Sequence, residues 1–153
     1  MFHTEMAAAV NIPVFTSSLM QVPFVHAMLK PAQKVGIITI NAQTLSQKHL
    51  GAVGVDTVPH VIVGTEDEEE FTRAILGNEM ELDVEKSKSE LVKVADRLVS
   101  ENPDVGAIVL ECTNMTPYAA AIQEKVDLPV FDIYTLVQMV HLAAVRTTFS
   151  GYM

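Results

Sequence analysis

Gly106-Ala107-Ile108-Val109-Leu110-Glu111-Cys112-Thr113-Asn114-Met115-Thr116-Pro117 is the stretch that decides the reading of this chain. Its apolar run, Ala107 to Leu110, suits a buried strand and ends at a polar loop holding the single cysteine. Thr116-Pro117 then supplies an N-cap and a first helical residue. Cys112 is thereby placed at the carboxyl end of a strand, close to a helix start. In open α/β sheets that edge collects ligands, and nearby helix amides attract anions and favour a thiolate over a thiol. A free cysteine also packs as a small hydrophobe, so a structural role is the alternative. The polar successors Thr113 and Asn114 favour chemistry.

The same strand, loop and helix pattern extends outward in both directions. Lys34 to Ile40 reads as a buried strand, followed by the polar loop Asn41-Ala42-Gln43-Thr44 and a short helix to about Leu50. Val58 to Val63 is a second strand, and Glu66-Asp67-Glu68-Glu69-Glu70 forms the acidic first turn of a helix to about Leu76, ended by Gly77-Asn78. Consecutive acids on a helix diverge and solvate easily, so that run is read as a solvated turn and not as a metal site. Asp83 caps a helix from Val84 to Ser100 whose Leu91, Val94, Ala95, Leu98 and Val99 form one apolar stripe. Beyond Cys112 come a helix from Pro117 to about Val126, a strand Leu128 to Ile133 and a helix from Thr135 into Arg146. Upstream, Met1 to Val10 reads as the end of a helix, Ile12 to Phe15 as a short strand, and Leu19 to Lys30 as a helix with Pro23 in its first turn and Pro31 as its stop. Alternation of this kind implies an α/β fold, a mostly parallel sheet with helices on both faces.

Composition narrows the function. The 153 residues are 49% hydrophobic with a net charge of -9, as in a soluble globular domain. No Lys/Arg run with interleaved aromatics offers a nucleic-acid groove, and no apolar run reaches a membrane span of about 20 residues. One cysteine precludes an internal disulfide and fits a reducing compartment, and the first residues lack the layout of a signal peptide; a cytoplasmic location is expected. His26 and His141 read as packing or rim residues, and His3, His49 and His60 are scattered without an assigned role. No His or acid spacing suggests a metal site.

An internal echo is present. Asn11-Ile12-Pro13-Val14-Phe15 matches Asp127-Leu128-Pro129-Val130-Phe131, and alanine-rich segments precede both, which suggests two related halves. At the offset set by the two prolines, the counterpart of Cys112 falls before Met1.

Glu111-Cys112-Thr113-Asn114-Met115-Thr116-Pro117-Tyr118, with Leu128 to Ile133 downstream and Ile12 to Ser18 upstream, resembles the aspartate/glutamate racemase family, which includes hydantoin racemases. The resemblance covers nearly all of this chain and about the later two thirds of a full member. It implies two pseudo-symmetric, flavodoxin-like α/β halves with one cysteine each. Residues 1–33 would then be a remnant of the first half, 34–133 the second half, and 134–153 a helix returning toward the first. It also implies cofactor-independent proton transfer at a carbon next to a carboxylate. Cys112 matches the second family cysteine, with the first encoded upstream. Thr113 and Asn114 follow it as carboxylate-holding positions, Asn41 and Gln43 match the loop after the first strand of this half, and Ser17 lines the cleft between halves.

The sequence also departs from the family pattern. Racemases of the family carry Gly-Cys-Thr-His or Gly-Cys-Thr-Glu, whereas here Glu111 precedes the cysteine and Asn114, which cannot titrate, stands in the assisting position. Three classes therefore stand: a racemase acting on an amino acid or hydantoin; a silent carboxylate-binding module or structural fragment; and a one-cysteine enzyme resembling arylmalonate decarboxylases. The expected ligand is a small carboxylate, with no cofactor, no metal, no nucleic acid and no membrane. A homodimer or larger homo-oligomer is expected, because the first and last helices would otherwise leave apolar faces uncovered.

Overall fold

Strand β1 (Lys34–Thr39) shows why the sheet is buried on both sides. Its successive side chains point to opposite faces. Val35 and Ile37 join one apolar cluster, whereas Ile38 joins another. In the computed structural model, which describes residues 2–151, β1 lies between β2 (His60–Gly64) and β3 (Val105–Leu110), with β4 (Val130–Phe131) outside β3. All neighbouring pairs are parallel, in the order β2-β1-β3-β4. The connections run outward from β1 to β2 on one side and from β3 to β4 on the other. The order therefore reverses between β1 and β3, and a crevice opens at their carboxyl ends.

Each face is covered by helices. Leu19, Val22 and Val25 of α2 (Val22–Ala27) and its lead-in, with Leu50 of α3 (Gln47–Gly51), pack on Val35, Ile37, Ala107 and Val109. On the other face α4 (Glu70–Gly77), α5 (Val84–Glu101) and α6 (Ala119–Val126) supply Phe71, the stripe of Leu91, Val94, Ala95 and Leu98, and Ile122. The α5 helix starts where Asp83 accepts from the Lys86 N–H at 2.9 Å, and α4 stops at Asn78, whose φ of 51° is left-handed. The expected α/β architecture with helices on both faces is the observed one. Two further helices, α1 (His3–Ala9) and α7 (Ile133–Ala144), flank the carboxyl edge of the sheet, and no described helix is long and apolar enough to cross a membrane.

Several elements differ from their sequence reading. Ile12 to Phe15 is not a strand: Pro13 has no N–H, no described strand lies beside the segment, and Ile12 is 70% exposed. The expected strand Leu128 to Ile133 shrinks to two residues. Pro129 precedes it, and Asp132 instead caps α7, accepting from the Thr135 N–H at 2.8 Å while Thr135 Oγ1 accepts from the Asp132 N–H at 3.0 Å. The helix expected over Leu19 to Lys30 begins as a 3₁₀ turn, Ser18–Gln21, and α2 ends at Ala27. Thr116 caps nothing, since a 3₁₀ segment (Thr113–Tyr118) begins directly after Cys112, and the Thr116 hydroxyl is buried without a hydrogen bond to described residues.

The acidic run is the largest correction. Only Glu70 belongs to α4, and Glu68 and Glu70 are buried, not solvated. Glu68 pairs with Lys93 at 3.0 Å, and Glu70 binds Arg73 at 2.9 Å and accepts from the Asp83 N–H at 3.0 Å. These partners lie up to 25 residues away, out of reach of local sequence reasoning.

Gly64 closes β2 against the loop that follows β1. A Cβ there would lie 2.7 Å from the Ala42 backbone nitrogen and overlap the Glu66 carboxylate. Gly64→Ala is expected to lower stability by about 1–3 kcal/mol, because backbone has to shift to admit one methyl. The urea midpoint measures it, and an unchanged midpoint would show that the loop yields freely.

Candidate functional site

Four elements converge on the crevice between β1 and β3. The end of β3 is pinned from both sides: the Glu111 N–H donates to the Ile38 carbonyl at 2.8 Å, and Ser18 Oγ donates to the Leu110 carbonyl at 2.7 Å and the Glu111 carbonyl at 3.3 Å. Gln21 ties the same 3₁₀ turn to α7, donating to the Asp132 carbonyl at 2.8 Å and accepting from Thr135 Oγ1 at 2.9 Å. Glu111 and Cys112 are thus delivered to the crevice on a fixed backbone. The Glu111 carboxylate is itself held, since Thr39 Oγ1 at the end of β1 donates to Oε2 at 2.9 Å.

The crevice is a cleft of about 550 Å³. It is lined by the polar residues Thr16, Ser17, Ser18, Glu111, Cys112 and Thr113 and by the apolar side chains Phe2, Met6, Leu19, Ile40, Leu45, Val53 and Ile133. His3 from α1 and His49 from α3 also line it. The Ser46 N–H donates to His49 Nδ1 at 3.1 Å, so the neutral ring carries its proton on Nε2. His3 Nδ1 and Thr16 Oγ1 share a hydrogen bond at 3.2 Å.

Cys112 is half-buried. Burial pushes its thiol up, and the negative charge of Glu111 adds to this, while hydrogen bonds from the backbone N–H groups of Asn114 and Met115 oppose it. The thiolate-favouring shift expected from amides alone is therefore reversed: the amides are present, but desolvation outweighs them.

Of the residues singled out in the sequence, Cys112, Thr113 and Ser17 come together in the cleft. Ser17 also accepts from the Leu19 N–H at 3.2 Å as the cap of its 3₁₀ turn. Asn41, Gln43 and Asn114 do not line it. Asn41 Oδ1 accepts from the Gln43 and Thr44 N–H groups at 2.9 and 3.1 Å, so this side chain folds its own loop, and Gln43 and Asn114 are exposed. Glu111, His3 and His49 are the cleft residues that sequence reasoning passed over. The Ser46-x-x-His49 spacing is a local signal, because it forms a capping box. His3 carries no such signal, since it reaches the cleft only through tertiary packing.

Comparison with known proteins supports the family and the fold. Residues 1–139 match the family described as Asp/Glu/Hydantoin racemase. The crystal structure of an allantoin racemase from Pseudomonas fluorescens superposes with a TM-score of 0.63 over 90% of this chain and 54% of its own, at 16% identity, a likeness of fold. A dimethylsulfoniopropionate lyase from Durusdinium sp. clade D is 32% identical over 136 residues, covering 86% of this chain and 44% of that protein. Dimethylsulfoniopropionate lyase 5 from Emiliania huxleyi is 29% identical over 141 residues, covering 88% of this chain and 28% of the relative. The chain thus spans less than half the length of these curated relatives.

Proposed function

The chain belongs to the Asp/Glu/hydantoin racemase family, and from that premise we propose that it transfers a proton at the carbon next to a carboxylate, with Cys112 as the group that removes it. The observation that carries this reading is the placement of the half-buried Cys112 thiol in the cleft at the point where the strand order reverses. A proton beside a carboxylate is very weakly acidic, so its removal needs a base held against it in a site with little water. A thiolate between apolar walls meets that need, and no cofactor has to take part.

The carbanion can be reprotonated, which gives exchange or inversion. If the β-carbon carries a leaving group, its electron pair can instead form a C=C bond as that group departs with its own bonding pair. The names of the curated relatives favour the second outcome. In dimethylsulfoniopropionate the β-substituent is a sulfonium, and α-proton removal would yield acrylate and dimethyl sulfide. Both outcomes begin with the same proton.

Incubation in heavy water with aspartate, glutamate, a substituted hydantoin and dimethylsulfoniopropionate tests the reading, with α-deuterium followed by NMR and dimethyl sulfide by gas chromatography. Incorporation or elimination with at least one compound supports it, and neither with any compound, in folded protein, overturns it. The rate has a predictable pH dependence. Because the Cys112 thiol is held above its ordinary pKa of about 8.5, the thiolate fraction and the rate are expected to keep rising through that range as pH increases. A rate already level at neutral pH would exclude Cys112 as the titrating base.

A further inference from the structure

Glu111 presents its carboxylate to the cleft with no Lys or Arg beside it among the described residues. It enters no ion pair with a described residue, and none of the residues lining the cleft is Lys or Arg. A carboxylate drawn partly out of water is stabilised by hydrogen-bond donors or by a counter-charge that meets it. The protein fixes this one through Thr39 Oγ1 at 2.9 Å and through the Ser18 hydroxyl on its carbonyl at 3.3 Å. Thr39 and Ser18 are both buried, so the carboxylate is anchored from the sheet and not left to wave in solvent.

We infer that Glu111 is a specificity-determining residue that receives a cationic group carried by the substrate one carbon beyond the reacting carbon. This rests on the reading that the cleft binds a small carboxylate at Cys112. Glu111 and Cys112 are adjacent in the chain at the end of one strand. Both line the cleft, so a ligand with its cation on Glu111 lies beside the thiol, and its carboxylate is kept apart from Glu111 by like-charge repulsion.

Phe2, Met6, Leu45, Val53 and Ile133 offer methyl and ring surface to the carbon skeleton of such a ligand, and Thr16, Ser17 and His3 set polar groups beside them. The net charge of -9 adds a long-range bias toward cations. A cation on Glu111 also offsets the negative charge that adds to the effect of burial on the Cys112 thiol.

The test is a calorimetric titration of two ligands of the same shape, β-trimethylammonio-propanoate and β-tert-butyl-propanoate, into the wild-type protein, Glu111→Gln and Glu111→Asp. The wild type is expected to prefer the cationic ligand by roughly tenfold, the gain of one charge pair in a half-exposed site. Glu111→Gln should bring the ratio close to one by weakening only the cationic ligand, and Glu111→Asp should restore part of it. Equal affinities in the wild type, a ratio unmoved in Glu111→Gln, or no saturable binding of either ligand would overturn the inference. Deuterium exchange on the same preparation separates this from the reading beneath it. Exchange with a cation ratio of one defeats only the role of Glu111, whereas a preserved ratio without any exchange or elimination defeats only the proton transfer.

Discussion

Cys112→Ala is expected to reduce α-deuterium exchange or elimination by at least about a hundredfold, the lower end of what a positioned proton-transfer group contributes. The loss should come without unfolding. The thiol is half-buried at the edge of the sheet, and the backbone that carries it is pinned through Ile38, Leu110 and Ser18, none of which depends on the sulfur. Removing one sulfur atom there should cost no more than about 1.5 kcal/mol, within the range of near volume-conserving changes. Cys112→Ser is the sharper control. It nearly keeps the size and puts a hydroxyl in place of the thiol, but an alcohol ionises so much less readily than a thiol that the rate should fall nearly as far. The comparison pairs rates with urea midpoints for all three proteins. Activity surviving in folded Cys112→Ala would move the proton transfer to another titratable group lining the cleft, His3, His49 or Glu111.

Glu90→Ala is expected to be the most destabilising of the changes considered, by about 2–4 kcal/mol, because it strands buried donors. Glu90 projects from α5 onto the start of α4. Its carboxylate accepts from the Glu70 N–H at 2.9 and 3.1 Å and from the Phe71 N–H at 2.8 Å. Those are N–H groups that a helix start leaves unpaired, and here they are too deep for water to replace the acceptor. Phe71 is fully buried in the core and meets Tyr118 edge-on at 6.1 Å between ring centroids, so the cap also holds a core side chain in place. Glu90→Gln keeps one carbonyl acceptor and should lose about half as much. Urea unfolding measures the size, and amide exchange locates it, since protection should fall first in α4. A loss below about 0.5 kcal/mol for the alanine variant would place the cap among the inert surface contacts.

These two sites differ in how far they could be read from the chain. Cys112 was legible because its signal is local: an apolar run ends, polar residues follow, and in a parallel sheet the loops after the strands gather at one edge. Glu90 was not, because nothing in the α5 stripe reveals that an acid among its polar positions will cap a different helix. The same division runs through the whole molecule. Lys34 to Ile40, Val58 to Val63 and Ala107 to Leu110 read as strands by composition and overlap the observed β1, β2 and β3, and the α5 helix was set by Asp83 and its apolar spacing, since these preferences act within one turn or one strand. Whether Ile12 to Phe15 would pair, how short β4 would be, and where the helix after Cys112 would begin depended on neighbours that the local sequence does not contain.

The sequence by itself determined an α/β chain with a thiol at the carboxyl edge of its sheet. The tertiary structure alone decided that Glu111, His3 and His49 share a cleft with that thiol, and that burial drives the thiol up when helix amides by themselves would drive it down. The physical reason is one of range. Strand and helix preferences come from residues a few positions apart, whereas desolvation and charge at a site are summed over everything that folding packs around it.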